Sequence, residues 1–243
     1  MRVLTGTSGW SYPAWKGSFY PRDLPATRFL EHYASRLATV EVNATFYRMP
    51  LARTLALWRA QAPAGFVFAL KASQRITHQK RLLGVGEDVA RFFGAAVELG
   101  SALGPVLFQL PPSMKRDVPR LRALLEIIPS GARAAFEFRH ESWLSADVLQ
   151  TVADAGAALC IADTDEGTTP LEATAPFGYL RLRRTSYDGA ELARWVERVL
   201  AQRWGEAFVF FKHEDAARGP EYALRLAALV TLAEESSPVL PGP

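Results

Sequence analysis

Hydrophobic and polar residues follow two periodicities along this chain, one typical of strands and one typical of helices, and segments of the two kinds alternate. Strand-like apolar or alternating runs occur eight times, at 2–10, 39–46, 66–73, 105–112, 133–138, 157–163, 177–183 and 207–215. Segments with apolar residues at helical spacing lie between them, at 26–37, 53–61, 87–99, 119–128, 146–155, 191–202 and 221–233. Strands that alternate with helices are typical of parallel β/α units.

One helix is missing from this alternation. Residues 164–176 form a polar loop that contains proline and glycine, and no helical spacing follows the sixth run. We therefore predict an α/β fold, a TIM-like (β/α)8 barrel in which the helix after strand six is missing. An open doubly wound sheet is the alternative, although no G-x-G-x-x-G motif follows the first run. A single barrel domain is predicted over residues 1–235, followed by a disordered tail at 236–243.

Composition narrows the class of protein. The chain has 243 residues, of which 49% are hydrophobic, and a single barrel has roughly 250. No run reaches the roughly 18 apolar residues that span a bilayer, and the N-terminus lacks the apolar core of a signal peptide. The single cysteine, Cys160, excludes an internal disulfide. These features predict a cytoplasmic protein without a membrane partner.

The fifth run carries the densest polar signal. Side chains alternate between the two faces of a strand, so Glu137 and Arg139 point to one side. Phe136 and Phe138 point to the other. A strand with one aromatic face and one face of opposite charges is expected to be buried on both sides. Its charged face then lines an enclosed polar space.

Similar polar positions recur in the other runs. The predicted inward-facing set is Glu41, Asn43, Lys71, Ser73, Gln109, Glu137, Arg139, Asp163, Arg181, Arg183 and Lys212. All but the first two lie near the C-terminal ends of their strands, where barrel enzymes keep their active sites. Five of these side chains are cations and three are carboxylates, so a phosphate or carboxylate ligand would balance the surplus charge. The alternative is a network of ion pairs inside the barrel in which the charged side chains satisfy one another.

Roles within the site are assigned by chemistry. The candidate acid and base groups are Glu137, Glu41 and His140. The candidate substrate-binding residues are Lys71, Arg139, Arg181, Arg183, Asn43, Gln109, Asp163, Lys212, Trp10, Tyr12 and Trp143. The aromatic members fall in predicted loops or strand ends, where they either form a stacking rim for a sugar ring or base or plug the barrel mouth. Trp58 lies in a helical segment and is predicted to be a packing residue.

Histidines give a weaker signal. His78, His140 and His213 each follow a strand end and have carboxylates near them in sequence. They could supply metal ligands, but no H-x-H or H-E-x-x-H spacing occurs in the chain. We predict no metal site and no other cofactor.

Five segments carry a resemblance to a known family. They are Gly6–Tyr12 with Trp15 and Gly17, Val40–Tyr47, Phe68–Ser73 with Ile76–His78, Leu107–Pro112, and Phe136–His140 with Trp143. Together they resemble the domain of unknown function 72 family, also called YecE-like, from Thr5 to about Leu232. The resemblance implies a TIM-like barrel with these motifs at one mouth, and it implies no established reaction.

Two departures from the family pattern add charge to this mouth. Arg183 and Arg184 stand where many members have a histidine followed by a glycine. Residues 212–215, Lys-His-Glu-Asp, stand where members often have Asn-Asn-Asp. A ligand of other members therefore need not be the ligand of this chain.

The pattern predicts an enzyme that acts on a small or medium anionic substrate, phosphorylated or carboxylated, at the C-terminal mouth of the barrel. Hydrolysis, lyase chemistry and isomerisation remain open, as does the oligomeric state. The alternative is a non-catalytic protein that binds a ligand or nucleic acid with the same basic mouth. The net charge of +3 permits an anionic ligand and does not require nucleic acid.

Overall fold

Eight parallel strands close into a barrel. A computed structural model describes residues 1–213 and 215–236. The strands of the ring are β1 (Arg2–Ser8), β2 (Thr39–Val42), β3 (Val67–Lys71), β4 (Leu103–Gln109), β5 (Ala134–Glu137), β6 (Ala158–Thr164), β8 (Phe177–Leu182) and β9 (Glu206–Phe211), and the short antiparallel strand β7 (Gly167–Thr168) lies outside it. Neighbours run in the order β5-β4-β3-β2-β1-β9-β8-β6, and pairing of β5 with β6 closes the ring. The predicted barrel is confirmed.

Helices cover the outside of this ring. They are α1 (Phe29–Ala34), α2 (Ala44–Tyr47), α3 (Ala52–Gln61), α4 (Gly86–Ala96), α5 (Val118–Ile127), α6 (Ala146–Asp154), α7 (Gly189–Leu200) and α8 (Arg218–Ser236). Local sequence sets several starts: Asp117 accepts a hydrogen bond from the Arg120 backbone at the start of α5. Asp188 and Glu191 form a capping box at the start of α7. No helix in residues 1–213 and 215–236 is long and apolar enough to cross a membrane.

The sixth unit has no helix, as predicted. Residues 165–176 instead hold the short strand β7, which runs antiparallel to β6 and pairs Thr168 with Asp163. Thr174 attaches the rest of the segment to the start of β6, because its hydroxyl accepts a hydrogen bond from the Leu159 amide and donates one to the Ala157 carbonyl. The segment therefore forms a hairpin and a strap along β6.

Two element boundaries differ from the prediction. The second run was predicted as strand through residue 46, but β2 ends at Val42 and α2 follows. The Thr45 hydroxyl donates to the nearby Val42 carbonyl and to the Lys71 carbonyl at the end of β3, and these hydrogen bonds favour a helical turn over a longer strand. The predicted loop at 74–86 contains a π-helical turn at Arg75–Gln79. Buried Asp88 pairs with Arg75 at 2.7 Å and anchors that turn.

The barrel interior is apolar over part of its length and polar at the C-terminal ends of the strands. Its lower part is apolar and is filled by Leu4, Val67, Ala69, Leu107, Ala135, Ala158, Cys160, Phe177, Tyr179, Phe208 and Phe210. A second apolar layer lies between the strands and the helices and includes Phe68 and Phe136. The predicted tail at 236–243 lies outside the described residues, except Ser236, which is the last residue of α8.

Candidate functional site

Five polar side chains meet at the C-terminal end of the barrel interior, above the apolar filling. We call them the charged cluster: Glu41 on β2, Lys71 on β3, Gln109 on β4, Glu137 on β5 and Arg181 on β8. All five were predicted to face inward, and all five are buried. Hydrogen bonds connect each of them to at least one other member.

Arg181 is the centre of the charged cluster. Its Nη2 donates to Glu41 Oε1 at 2.9 Å, and its Nη1 donates to Glu137 Oε2. The side chain is 3% exposed. Burial by itself would lower the pKa of Arg181, but the two carboxylates raise it well above its ordinary value. One permanent cation on β8 therefore joins carboxylates on β2 and β5, two strands that are not neighbours in the ring.

Glu41 is held as an anion. Burial alone would raise the pKa of Glu41, but Arg181 and Lys71 hold it below the ordinary value. The Ser8 hydroxyl donates to Glu41 Oε1 at 2.8 Å, and the Tyr179 hydroxyl donates to Oε2 at 2.8 Å. Burial and the Glu41 charge raise the pKa of Tyr179 well above its ordinary value, so this hydroxyl stays protonated.

Glu137 is also held as an anion. Burial would raise the pKa of Glu137, but Arg181 and Arg183 lower it below the ordinary value. Gln109 Nε2 donates to Glu137 Oε2 at 2.9 Å, and Arg183 Nη1 donates to Oε1 at 3.2 Å. A carboxylate with these partners gives up its proton well below neutral pH. Glu137 is therefore a poor general acid.

Lys71 is the cation of the charged cluster that forms no salt bridge with a carboxylate of residues 1–213 and 215–236. Its Nζ donates to Gln109 Oε1 at 2.9 Å and lies 4.2 Å from the centre of the Phe46 ring. Burial, followed by repulsion from Arg181, lowers the pKa of Lys71 to about 8. An amine with this pKa loses its proton readily near neutral pH, so it can accept a proton or attack a carbonyl carbon.

A cavity of about 540 Å³ opens beside the charged cluster. Glu137, Arg139 and Arg183 line it, and the hairpin of β7 forms another wall with Glu166 and Thr168. The Arg139 side chain is exposed, and the Arg183 side chain is 20% exposed. We call this space the mouth cavity. Both arginines can therefore meet a ligand that enters from solvent.

Lys212 lies in a cavity that no member of the charged cluster lines. It is exposed and lines a separate cavity of about 470 Å³ with Arg184, Arg218 and Asp215. Arg183 lines both this cavity and the mouth cavity. Lys212 was predicted to share one inward-facing site with the other cations. The structure places it in a different cavity, so that prediction is wrong.

Asp163 does not face the barrel interior, and the inward prediction for it is wrong. Its carboxylate accepts hydrogen bonds from the Tyr187 hydroxyl at 2.9 Å and from Arg184 Nε at 3.1 Å. On β6 the inward position belongs to Cys160, which packs in the interior core. Asp163 lies three residues later, so alternation turns it outward.

The loop after β5 holds two predicted site residues in supporting positions. The Trp143 side chain is fully buried, stacks on Phe138 at 5.0 Å and donates to the Met114 carbonyl. Trp143 therefore cannot form part of an accessible rim, and that prediction is wrong. His140 Nδ1 accepts from the Ser142 amide and caps the turn that leads to Trp143. A catalytic role for His140 stays a prediction.

Asn43, Trp10 and Tyr12 lie together, but not in the charged cluster. They line a third cavity, of about 490 Å³, which Trp58 on α3 also lines. Asn43 was predicted to face inward beside Glu41, but it follows the end of β2 and starts α2. The predicted packing role of Trp58 is incomplete, because this half-buried ring also faces a cavity.

Ser8 and Tyr179 contribute to the charged cluster and were not predicted. Tyr179 lies two positions before Arg181 on β8, so strand alternation places both on the inner face. That signal was present in the sequence. Ser8 gave a weaker one, since a serine in a glycine-containing loop is ordinary. Ser73, predicted inward, accepts from the Arg75 amide in the loop after β3.

His78 lies near the mouth and is mostly neutral. Burial lowers the pKa of His78, and the positive charges of Lys71 and Arg139 lower it further. Its Nδ1 is 2.9 Å from the Thr77 hydroxyl. Within residues 1–213 and 215–236, no three His, Cys, Asp or Glu side chains converge as metal ligands.

Comparisons with known proteins agree with this fold. A family model described as "Protein of unknown function DUF72" matches residues 4–243. The protein YunF of Bacillus subtilis (strain 168), from the group UPF0759, is 31% identical over 152 residues, which is 59% of this chain and 52% of YunF. The match thus spans about half of that relative.

Two crystal structures extend the likeness over nearly the whole chain. A DUF72 family protein of Thermotoga maritima MSB8 (TM1631) is 27% identical with a TM-score of 0.83, covering 95% of this chain and 100% of its own. A DUF72 family protein of Enterococcus faecalis V583 (EF0366) is 20% identical with a TM-score of 0.76, covering 95% and 98%. The second likeness establishes the fold alone.

Proposed function

This chain belongs to the DUF72 family of proteins of unknown function, and we propose that it is an enzyme acting on a small anionic substrate at the mouth cavity. The proposal rests on the proximity of a possible proton-transfer group to possible anion-binding groups. The charged cluster holds a lysine of lowered pKa, and two arginines of the mouth cavity reach solvent beside it.

Charge supports an anionic substrate. Lys71, Arg181 and Arg183 are cations, and the carboxylates within the same hydrogen-bonded group are Glu41 and Glu137. Arg139 adds a further positive charge at the wall of the mouth cavity. Guanidinium groups bind phosphate and carboxylate with two parallel hydrogen bonds, so Arg139 and Arg183 would hold the anionic part of the substrate.

Lys71 is the group we assign to proton transfer. No carboxylate in the described part of the chain forms a salt bridge with it, and its pKa is about 8, so a proton leaves or joins it at little cost near neutral pH. Glu41 and Glu137 keep Arg181 in place and supply negative charge that acts on Lys71. We therefore favour proton transfer at a carbon or oxygen of the substrate over a mechanism in which Glu137 is the acid.

Thermal unfolding in the presence of inorganic phosphate tests the anion site. Phosphate binding to the folded protein should raise the Tm relative to sodium chloride at equal ionic strength. Arg183→Ala and Arg139→Ala should lose most of this increase, whereas Arg91→Ala should keep it. Arg91 is the control because it is an exposed arginine on α4 outside the mouth cavity. Equal increases in all four proteins would refute the anion site.

Turnover is tested by an unbiased search for small molecules that co-purify with the protein. Mass spectrometry should detect an anionic compound that is enriched in the wild type and depleted in Arg183→Ala. Incubation of that compound with the wild type should convert it, and Lys71→Met should not. Binding without conversion would favour the non-catalytic alternative. Tight binding of duplex DNA that weakens steeply with salt would favour a nucleic-acid-binding protein.

A further inference from the structure

The third cavity, of about 490 Å³, differs in chemistry from the mouth cavity. Its lining comes from the loop after β1, the turn before α1 with the first residues of α1, the end of β2 with the start of α2, and one side of α3. We call it the aromatic cavity, since Trp10, Tyr12 and Trp58 line it. None of its lining side chains carries a charge. Its volume is within the range of roughly 300–1,000 Å³ that holds small ligands.

Hydrogen bonds and close packing hold the loop that carries Trp10 and Tyr12. The Tyr12 hydroxyl donates to the Ser8 carbonyl at 2.7 Å, and the Tyr20 hydroxyl donates to the Trp10 carbonyl. Gly9 has a φ of +100°, and a Cβ there would lie 2.6 Å from the Tyr12 hydroxyl oxygen, so glycine allows this close packing. Because the loop is held at these points, a ligand would find the walls already in position.

The shape of the walls selects among ring-shaped ligands. Trp10 and Trp58 meet edge to face, with ring centres 5.0 Å apart and planes at 88°. Trp58 is backed by Phe68 at 6.4 Å with planes at 21°. The two indoles therefore form a corner and not a parallel slot. A planar base binds best between parallel rings, whereas a puckered sugar ring can place its C–H groups against one indole.

Polar side chains beside this corner are free to bind hydroxyl groups. Asn43 occupies the N-cap position of α2, where an asparagine normally accepts a hydrogen bond from the helix backbone, yet its side chain caps nothing. The Asn43 amide has no hydrogen-bond partner among the described residues and keeps both donor and acceptor. Gln61 adds a second amide to the lining, and Thr27 and Thr54 add hydroxyls.

We propose that the aromatic cavity binds an uncharged sugar ring, stacked on the corner of Trp10 and Trp58 and hydrogen-bonded by Asn43. The proposal is independent of the proposed function, because the aromatic cavity contains no member of the charged cluster. The aromatic cavity and the mouth cavity both lie at the C-terminal ends of strands. A substrate with a sugar ring and an anionic group could therefore bind in both.

Saturation-transfer NMR on the full chain tests the proposal with a panel of uncharged sugars: D-xylose, D-glucose, D-ribose and cellobiose. At least one should bind saturably in the millimolar range, with little change between low and high salt. Trp10→Ala and Asn43→Ala should each weaken binding by about tenfold. Tyr47→Ala is the control, since this ring is 73% exposed and lines no part of the aromatic cavity.

Three outcomes overturn the proposal. One is that no sugar of the panel binds, and another is that both variants bind as the wild type does. The third is that adenosine binds in the aromatic cavity more tightly than every sugar. Circular dichroism checks the fold of each variant, and Asn43→Ala decides if Trp10→Ala unfolds. Arg183→Ala should keep sugar binding, so failure of the anion site and failure of this inference are distinguishable.

Discussion

Arg181 and Glu137 are 44 positions apart in the sequence, and their side chains form a hydrogen-bonded ion pair inside the barrel. The Glu137 side chain is 2% exposed and the Arg181 side chain 3%. Arg139, two residues from Glu137 on the chain, is not the partner and faces the mouth cavity. The charge of Glu137 is therefore balanced by a cation on β8, which β6 separates from β5 in the ring.

Glu137→Gln should lower the free energy of unfolding by about 3–5 kcal/mol, because Arg181 loses one of its two carboxylates while it remains buried. Denaturant unfolding at neutral pH measures the change. Glu98→Gln, an exposed carboxylate outside the charged cluster, should change the free energy by less than about 0.5 kcal/mol. A Glu137→Gln protein as stable as the wild type would mean that the pair does not hold the barrel interior together.

Lys71 should make stability depend on alkaline pH. Its pKa is about 8 in the folded protein and about 10.4 in an unfolded chain. Below pH 8 both states carry the proton, and folding must bury the charge. Between these two values the unfolded chain binds the proton that the folded protein has lost, so the free energy of unfolding rises with pH.

The comparison with Lys71→Met isolates this effect. The stability of the wild type relative to Lys71→Met should increase by up to about 3 kcal/mol across that pH range. Urea unfolding of both proteins at pH 7.5, 9 and 10.5 (values chosen to bracket the two pKa values, about 8 and about 10.4) provides the measurement. A difference that stays constant with pH would contradict the lowered pKa.

Tyr179→Phe should cost about 1.5–3 kcal/mol of folding free energy, because Glu41 loses a hydrogen bond from a neutral donor in a buried site. The ring is kept, so its packing beside Phe210 at 5.2 Å should survive. Tyr47→Phe, at an exposed position, is the matched control and should be neutral. If both variants unfold at the same urea concentration, the Tyr179 hydroxyl does not stabilise Glu41.

Asp163→Asn separates structure from ligand binding. Asp163 accepts from Tyr187 and Arg184 on the outer side of β6, so its loss should cost about 1–3 kcal/mol of stability. The increase in Tm caused by phosphate should equal that of the wild type, because Asp163 does not line the mouth cavity. A reduced phosphate effect at unchanged stability would return Asp163 to the ligand site.

Sequence alone determined the architecture and much of the charged cluster. Eight strand-like runs with helices between them can bury their apolar faces on both sides only in a parallel sheet, and the helix-free segment after the sixth run identified the irregular unit. Strand alternation predicted the inward direction of Glu41, Lys71, Gln109, Glu137 and Arg181. Polar side chains on buried strands need polar partners, so they are expected to lie together.

Only the tertiary structure decided which residues meet. The structure places Cys160 in the interior core, so alternation along β6 turns Asp163 outward. Asn43 left the barrel interior because β2 ends at Val42 and α2 begins there. Partner choice depends on how the ring closes, which brings Arg181 on β8 between Glu41 on β2 and Glu137 on β5. The chain pattern contains the alternation of each strand, but the distances across the closed barrel exist only after folding.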